Sequence, residues 1–199
     1  MSGRKLDIFM VGLGGQGILT IGELIGNAAL TKRIPVNFFP TKGMTQRGGF
    51  VKAQLRLGLQ QVGGDIPLGR ADMVIAMEMS ESLKALSRLK KGGVFLVYGY
   101  RWHTAETACG QARYPELAEV ETAASDAGCR MIYVDPQQLP EYKGRKVADN
   151  VFLLGVAEKH TPLGDWFTGD DLLNSIVARW PRGAEDNQAA FLAGQQLSV

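Results

Sequence analysis

Short apolar runs alternate with segments of helical periodicity along most of the chain. Residues 6–11 form a mostly apolar run that Gly12 ends, which predicts a strand buried on both faces of a parallel sheet. From Gly17 the apolar side chains recur about every 3.6 residues, so a helix is predicted directly after that strand. Gly22 and Gly26 lie on this helix. Because each would cost about 1 kcal/mol relative to alanine in an exposed helix, we expect both to let the helix approach the sheet closely.

A second strand is predicted over 36–39, where Pro40 ends the apolar run. Residues 40–49 are rich in Thr, Lys, Gly, Gln and Arg and are predicted to form a loop. Apolar and polar side chains then alternate over 50–57. This alternation predicts a strand with one face in solvent.

The same order of elements continues to the end of the chain. A strand is predicted over 71–77, followed by a helix that Ser80 caps and that runs through Leu89, with Lys90 and Lys91 complementing its C-terminal dipole. Asp149 and Asn150 are predicted to cap a helix that begins near Val151. Two further strands are predicted over 94–97 and 131–134. One helix is predicted between Pro115 and Gly128, and three more are predicted over 147–160, 170–180 and 184–197.

Strands that alternate with helices predict an α/β fold. The expected architecture is a single domain over residues 1–199, Rossmann-like, with a doubly wound, mostly parallel sheet and helices on both faces. Hydrophobic residues make up 45% of the chain and charged residues 21%, which suits a globular domain and excludes a disordered one.

Charge is unevenly distributed although the formal net charge is only +2. The overall balance requires neither a nucleic acid nor an anionic membrane as partner. Residues 1–60, however, carry eight basic and two acidic side chains, a local charge of +6. Any anion chemistry is therefore expected in the first third of the chain.

Cysteine and histidine are scarce. Cys109 and Cys129 cannot ligate a [4Fe–4S] cluster or a Cys-rich zinc site, and reduced thiols in a cytoplasmic protein are expected. His103 and His160 offer neither a Ser/His/Asp order nor metal-ligand spacing. We therefore predict no catalytic and no metal-ligating residue in this chain. Apolar stretches stay shorter than the roughly 18–20 residues of a membrane helix, so no membrane association is expected.

The segment Gly12-Leu13-Gly14-Gly15-Gln16-Gly17 matches the G-x-G-x-x-G pattern between a predicted strand and a predicted helix. Glycines there allow a sharp turn and bring backbone N–H groups toward an anion at the helix N-terminus. The acid that usually holds the ribose of NAD is absent, because no Asp or Glu lies between Glu23 and Asp65. Lys42 and Arg47 occur instead, which favours an NADP 2′-phosphate, a coenzyme A phosphate or an acidic surface of another chain.

Other interpretations of the same residues remain open. The glycines can form a tight turn without binding a ligand, and the basic side chains can be solvated. An aromatic cluster follows a predicted strand and can line a ligand crevice or pack between subunits. Its members are Tyr98, Tyr100, Trp102 and His103.

Two segments together, Gly12 to Leu19 and Lys42 to Val51, closely resemble the gamma subunit or gamma domain of 2-oxoacid:ferredoxin oxidoreductases, the pyruvate/ketoacid ferredoxin oxidoreductase family. Residues 71–78, the turn over 89–93, Asp149-Asn150 and Leu154-Gly155 occur in the order that this family shows. The segment Gly43-Met44-Thr45-Gln46-Arg47-Gly48-Gly49 is most similar to the small (beta) subunit branch of indolepyruvate ferredoxin oxidoreductase.

This resemblance implies oxidative decarboxylation of a 2-oxoacid with coenzyme A and reduction of ferredoxin, with a slight preference for an arylpyruvate such as indolepyruvate. Thiamine diphosphate, Mg²⁺ and [4Fe–4S] clusters are implied on partner subunits, because this chain lacks the Gly-Asp-Gly of a thiamine motif and the cysteines for a cluster. The implied partners are thiamine-binding and iron–sulfur subunits and, through them, ferredoxin. We expect the isolated chain to be inactive.

The resemblance also implies which residues face the partners and coenzyme A. Lys42 and Arg47 would contact phosphate or acidic side chains, Gln16 and Gln46 would donate neutral hydrogen bonds, and the glycines would present their backbone. The candidate cofactor-binding residues are Gly12, Gly14, Gly15, Gln16, Gly17, Lys42, Gln46, Arg47, Gly48 and Gly49. The alternatives are a free-standing NADP-binding oxidoreductase and a nonenzymatic nucleotide-binding module.

Overall fold

The computed structural model describes residues 4–42, 49–60, 62–103, 109 and 113–199. One six-stranded sheet organises them, with the strand order β2-β3-β1-β4-β5-β6. Its strands are β1 (Leu6–Leu13), β2 (Val36–Lys42), β3 (Phe50–Leu57), β4 (Ala71–Ala76), β5 (Leu89–Tyr98) and β6 (Arg130–Val134). Strand β3 is antiparallel to both of its neighbours, whereas β1, β4, β5 and β6 are mutually parallel.

Helices cover both faces of this sheet. They are α1 (Ile18–Thr31), α2 (Met79–Leu86), α3 (Leu117–Asp126), α4 (Asp149–His160), α5 (Gly169–Arg179) and α6 (Ala184–Gln195). Helices α1, α4, α5 and α6 contribute to one buried apolar cluster, and α2 and α3 contribute to a second cluster on the opposite face. A two-stranded hairpin, β7 (Glu141–Tyr142) and β8 (Arg145–Lys146), precedes α4. The predicted doubly wound, mostly parallel α/β fold is confirmed.

Strand β2 is longer than predicted, because it continues through Pro40 to Lys42. Pro40 lies opposite Ala53 in the register with β3. Within sheets proline is confined largely to edge strands, because it cannot donate to a neighbouring strand, and β2 is an edge strand. The predicted end at residue 39 was therefore wrong.

The polar face of β3 was predicted to be exposed to solvent, but it is partly covered. Gln54 is 3% exposed. Its carboxamide donates to Gly64 O and Asp65 Oδ1 and accepts from Ile66 N at 2.6 Å. Residues 63–66 therefore cover this face of the strand. The polar Gln54 side chain can be buried there because these loop residues satisfy its hydrogen bonds.

The predicted cap and the predicted end of α2 were also wrong, because the helix runs from Met79 to Leu86 and not from a Ser80 cap to Leu89. Helix α2 begins one residue before Ser80 because the Glu78 side chain caps it, accepting from Glu81 N at 2.9 Å. Lys90 and Lys91 belong to β5, whose pairing with β4 begins at Leu89.

Helix α4 includes Asp149 and Asn150, with Ala148 at its N-cap. The two glycines of α1 differ in role. A Cβ at Gly22 would clash with the Phe38 ring, which confirms the predicted close approach, but a Cβ at Gly26 would meet nothing within 4 Å. The packing prediction for Gly26 was therefore wrong.

Candidate functional site

The glycine segment follows β1 at the point where the chain connections diverge. From β1 the chain passes through α1 to β2 on one side of the sheet, and from β4 it passes through α2 to β5 on the other. The two helices lie on opposite faces. In open α/β sheets a crevice forms at such a switch point, outside the carboxyl ends of the strands. The predicted anion loop therefore lies where this fold usually binds ligands.

Two glycines of this loop adopt backbone conformations that other residues rarely adopt. Gly15 has a φ of 100° and Gly17 a φ of 74°. Gly17 is the N-cap of α1, and a Cβ at this position would clash with the Asn150 side chain. Glycine at position 17 therefore permits both the turn and the close approach of the α4 start.

The remaining loop residues are fixed by the strands around them. Gly12 pairs with Val51 in the register of β1 with β3. Gly14 N donates to Gly49 O at 2.8 Å, so the glycine loop contacts the residue that precedes β3. This bond brings together two of the predicted site segments.

Gln16 points into the protein. Its Oε1 accepts from Leu13 N at 2.7 Å and its Nε2 donates to Met77 O at 2.8 Å. The carboxamide thus connects the glycine loop to the residue that follows β4. The predicted hydrogen bond from Gln16 to a ligand stays a prediction. Its two hydrogen bonds within the protein hold the glycine loop in place.

A cleft of about 250 Å³ opens beside the loop. Its lining comprises Leu13, Gly14, Gly15, Gln16, Tyr100, Trp102 and Asp149. Two of the four predicted aromatic residues, Tyr100 and Trp102, therefore line a crevice. Tyr98 is buried beneath them and stacks on Tyr100, with 6.4 Å between ring centroids. His103 packs instead against Tyr114.

Glu78 positions the aromatic segment. This carboxylate is 1% exposed and accepts from Ser80 Oγ, Trp102 N and the Tyr114 hydroxyl. Met79 N also donates to Tyr100 O at 3.0 Å. Several donors satisfy a charge that would otherwise be costly to bury, and the segment from Tyr100 to Trp102 is held against α2.

Asp149 was predicted from the sequence as a helix cap and as part of the family resemblance, but not as a residue of the site. It lies in the first turn of α4 and lines the cleft opposite the glycine loop. Burial raises the pKa of its carboxyl above the ordinary value, although hydrogen bonds from the Asn150 and Asp149 backbone partly oppose that shift. Among the described residues, the lining of the cleft contains this carboxyl group and no basic side chain, which disfavours phosphate there. The signal in the sequence that could have indicated this residue is the place of Asp149-Asn150 in the family resemblance.

The basic half of the predicted site is described only in part. Lys42 ends β2 opposite Val51, but its side chain lies outside the described residues. Gln46, Arg47 and Gly48 also lie outside them. Gly49 is the only residue of that segment whose contact with the glycine loop is defined. The roles predicted for the others stay predictions.

Neither a cluster site nor a membrane segment emerges from the described ranges. Among these residues, no group of three or more His, Cys, Asp or Glu side chains is arranged to hold a metal ion. Two cysteines in the whole chain do not fit a [4Fe–4S] cluster. Across the same residues, no helix has the length and apolar character required to cross a bilayer.

The fold and the glycine loop define a Rossmann-like α/β protein with its crevice at the switch point. Residues 7–197 match the model of the pyruvate ferredoxin/flavodoxin oxidoreductase family, so the chain belongs to that family. The resemblance noted in the sequence is confirmed. The relatives in this family are subunits of oxidoreductase complexes, and the enzyme is active as the assembled complex.

Individual relatives agree with this assignment. The indolepyruvate oxidoreductase subunit IorB of Thermococcus kodakarensis is 35% identical over 160 residues, covering 80% of this chain and 79% of the relative. The crystal structure of pyruvate oxidoreductase subunit PORC from Thermotoga maritima shares the fold with a TM-score of 0.70 at 18% identity, covering 96% of this chain and 95% of that one.

A longer protein contains the same fold as one part. The 2-oxoglutarate:ferredoxin oxidoreductase from Magnetococcus marinus, whose structure holds 2-oxoglutarate, coenzyme A and succinyl-CoA, aligns with 96% of this chain but only 30% of its own length. The TM-score is 0.68 at 19% sequence identity, which establishes a common fold.

Proposed function

We propose that this chain is the small subunit of a 2-oxoacid:ferredoxin oxidoreductase complex that prefers indolepyruvate or a related arylpyruvate. The observation that carries the substrate preference is the 35% identity to an indolepyruvate oxidoreductase subunit over 80% of the chain. The complex would oxidatively decarboxylate the 2-oxoacid with coenzyme A and reduce ferredoxin. Thiamine diphosphate, Mg²⁺ and the iron–sulfur clusters would belong to its partners.

The carboxyl edge of the sheet is the proposed contact with these partners. The glycine loop and Gly49, the last residue of the predicted loop over 40–49, lie together there and share the Gly14–Gly49 hydrogen bond. Phosphate of coenzyme A, or acidic side chains of a partner, would contact Lys42 and Arg47. We place such an anion outside the cleft because the Asp149 carboxylate lies within it.

Reconstitution tests the substrate and the assembly. The chain is to be co-expressed with candidate thiamine-binding and iron–sulfur subunits from the same organism, and ferredoxin reduction is to be measured with indolepyruvate, pyruvate and 2-oxoglutarate. We expect a complex whose kcat/KM is highest for indolepyruvate and no turnover by the small chain alone. Preference for pyruvate would overturn the substrate assignment. Turnover of NADPH by the lone chain would overturn the subunit assignment.

Arg47→Ala tests the anion contact. We expect the variant either to raise the KM for coenzyme A or to weaken assembly about tenfold, because an arginine that contacts phosphate or carboxylate contributes about 1.5–3 kcal/mol. Arg70→Ala is the matched control, since Arg70 is exposed in the segment before β4. Unchanged coenzyme A dependence together with unchanged assembly would remove Arg47 from the site.

A further inference from the structure

The cleft beside the glycine loop combines one carboxylate with two aromatic rings. Asp149 supplies a carboxyl group, whose ionised form a neighbouring cation favours, and Tyr100 and Trp102 supply the rings. A carboxylate beside aromatic faces attracts a cation by direct charge and through the ring quadrupoles. The chemistry of this lining is thus opposite to that expected of a phosphate cradle.

Contacts within the protein hold the Tyr100 ring, the Trp102 backbone and the Asp149 carboxyl group. Tyr100 stacks on the buried Tyr98 at an interplanar angle of 9°. Trp102 N donates to the buried Glu78 carboxylate at 3.3 Å. Asp149 Oδ1 accepts from Asn150 N at 2.7 Å, which uses only part of the roughly four acceptor positions of a carboxylate. The Tyr100 and Asp149 side chains therefore lose little conformational freedom on binding.

The rim of the cleft indicates that its occupant comes from another protein. Trp102, which lines the cleft, is 44% exposed. Phe50 is not part of the lining but lies at the same edge of the sheet, where it pairs with Leu13 and is 42% exposed. Large apolar side chains exposed together at one edge are characteristic of protein contacts. The bound group would therefore be a side chain whose neighbours cover these rings.

We propose that the cleft receives one arginine side chain of a partner subunit, with its guanidinium on the Asp149 carboxylate and against Tyr100 and Trp102. Arginine suits this lining better than lysine, because its planar, weakly hydrated guanidinium can bond a carboxylate in bidentate fashion and stack on a ring. This inference rests on the proposed function, since it names the chemistry of the partner at the docking edge.

The first test uses the full chain alone, with methylguanidinium as the probe. Amide and indole NMR resonances of Trp102, Gly15 and Asp149 are expected to shift saturably, and Asp149→Asn is expected to weaken that binding about tenfold. Asp170→Asn is the matched control, because Asp170 is an exposed aspartate in the first turn of α5. Equal shifts in the Asp149→Asn variant would overturn the proposal, as would saturable shifts of the same resonances with coenzyme A or inorganic phosphate but not with methylguanidinium.

The second test uses the complex. Asp149→Arg is expected to lower recovery of the small chain with its partners at least about tenfold, since it places like charges together, whereas Asp170→Arg leaves recovery unchanged. Circular dichroism and unfolding midpoints establish that each variant is folded. Failure of the wild-type chain to assemble would refute the proposed function. Assembly of the wild type and Asp149→Arg to the same extent would refute only the arginine contact.

Discussion

At the residue scale, the Asp7 carboxylate shows how strongly one buried charge depends on its partner. Its side chain is fully buried in β1, and Arg56 of β3 bonds both of its oxygens, at 2.7 Å from Nε and 3.1 Å from Nη2. Arg56→Ala would leave a buried carboxylate with only Lys5 beside it. We expect a loss of about 3–5 kcal/mol in the free energy of unfolding, measured by urea denaturation.

The control for that loss is Arg70→Ala, which removes an exposed arginine and is expected to cost no more than about 0.5 kcal/mol. A loss of similar size in both variants would show that the Asp7–Arg56 pair is screened by solvent and contributes little.

The same pair predicts a dependence of stability on pH. Burial alone would raise the pKa of Asp7, but the hydrogen bonds and charges of Arg56 and Lys5 outweigh it and hold the pKa below the ordinary value. A lowered native pKa stabilises the fold above the unfolded value of about 4, and this contribution is lost as the pH falls through the native pKa. The stability difference between wild type and Arg56→Ala should therefore shrink below about pH 4. A difference that stays constant from pH 7 to about pH 3 would contradict the assignment.

At the scale of elements, the N-cap glycine of α1, Gly17, and a glycine within the helix, Gly26, are expected to respond oppositely to replacement by alanine. Gly17 starts the helix at a φ of 74° and its Cβ position is occupied by Asn150, whereas Gly26 has open space around it. We expect Gly17→Ala to destabilise the protein by about 1–2 kcal/mol from the left-handed backbone alone, with the clash in addition. Gly26→Ala should stabilise it by about 0.5–1 kcal/mol.

Thermal unfolding of both variants distinguishes these effects, and Asn150→Ala in the Gly17→Ala background separates the clash from the backbone strain. The second substitution should recover the part of the loss that is due to the clash and leave the part that is due to φ. Equal unfolding midpoints for the Gly17→Ala and Gly26→Ala chains would mean that the switch-point turn is not held in the described conformation.

For the whole molecule, a feature could be predicted from the sequence when the residues that form it are close together along the chain. The glycine loop and α1 were predictable because strand, glycines and helix are consecutive. Buried polar pairs were not, because Arg56 lies 49 residues from Asp7 along the chain. The cleft was predictable only in fragments, since Gly15, Trp102 and Asp149 come from three separate segments. The presence of a carboxyl group beside two aromatic rings in this cleft became evident only from the fold, which brings these segments together.

The two ends of the sheet offer a final prediction about which surface docks. Phe50 is 42% exposed beside the glycine loop, whereas Leu30 is 66% exposed near the end of α1, at the opposite edge of the sheet. If the carboxyl edge is the docking surface, Phe50→Ser should weaken the affinity for the partner subunits about tenfold or more, because burial of a large aromatic ring contributes strongly to an interface. Leu30→Ser removes more exposed apolar surface but should leave affinity unchanged. Titration of labelled small chain with the partner subcomplex measures both constants, and a larger loss for Leu30→Ser would place the interface at the other end of the molecule.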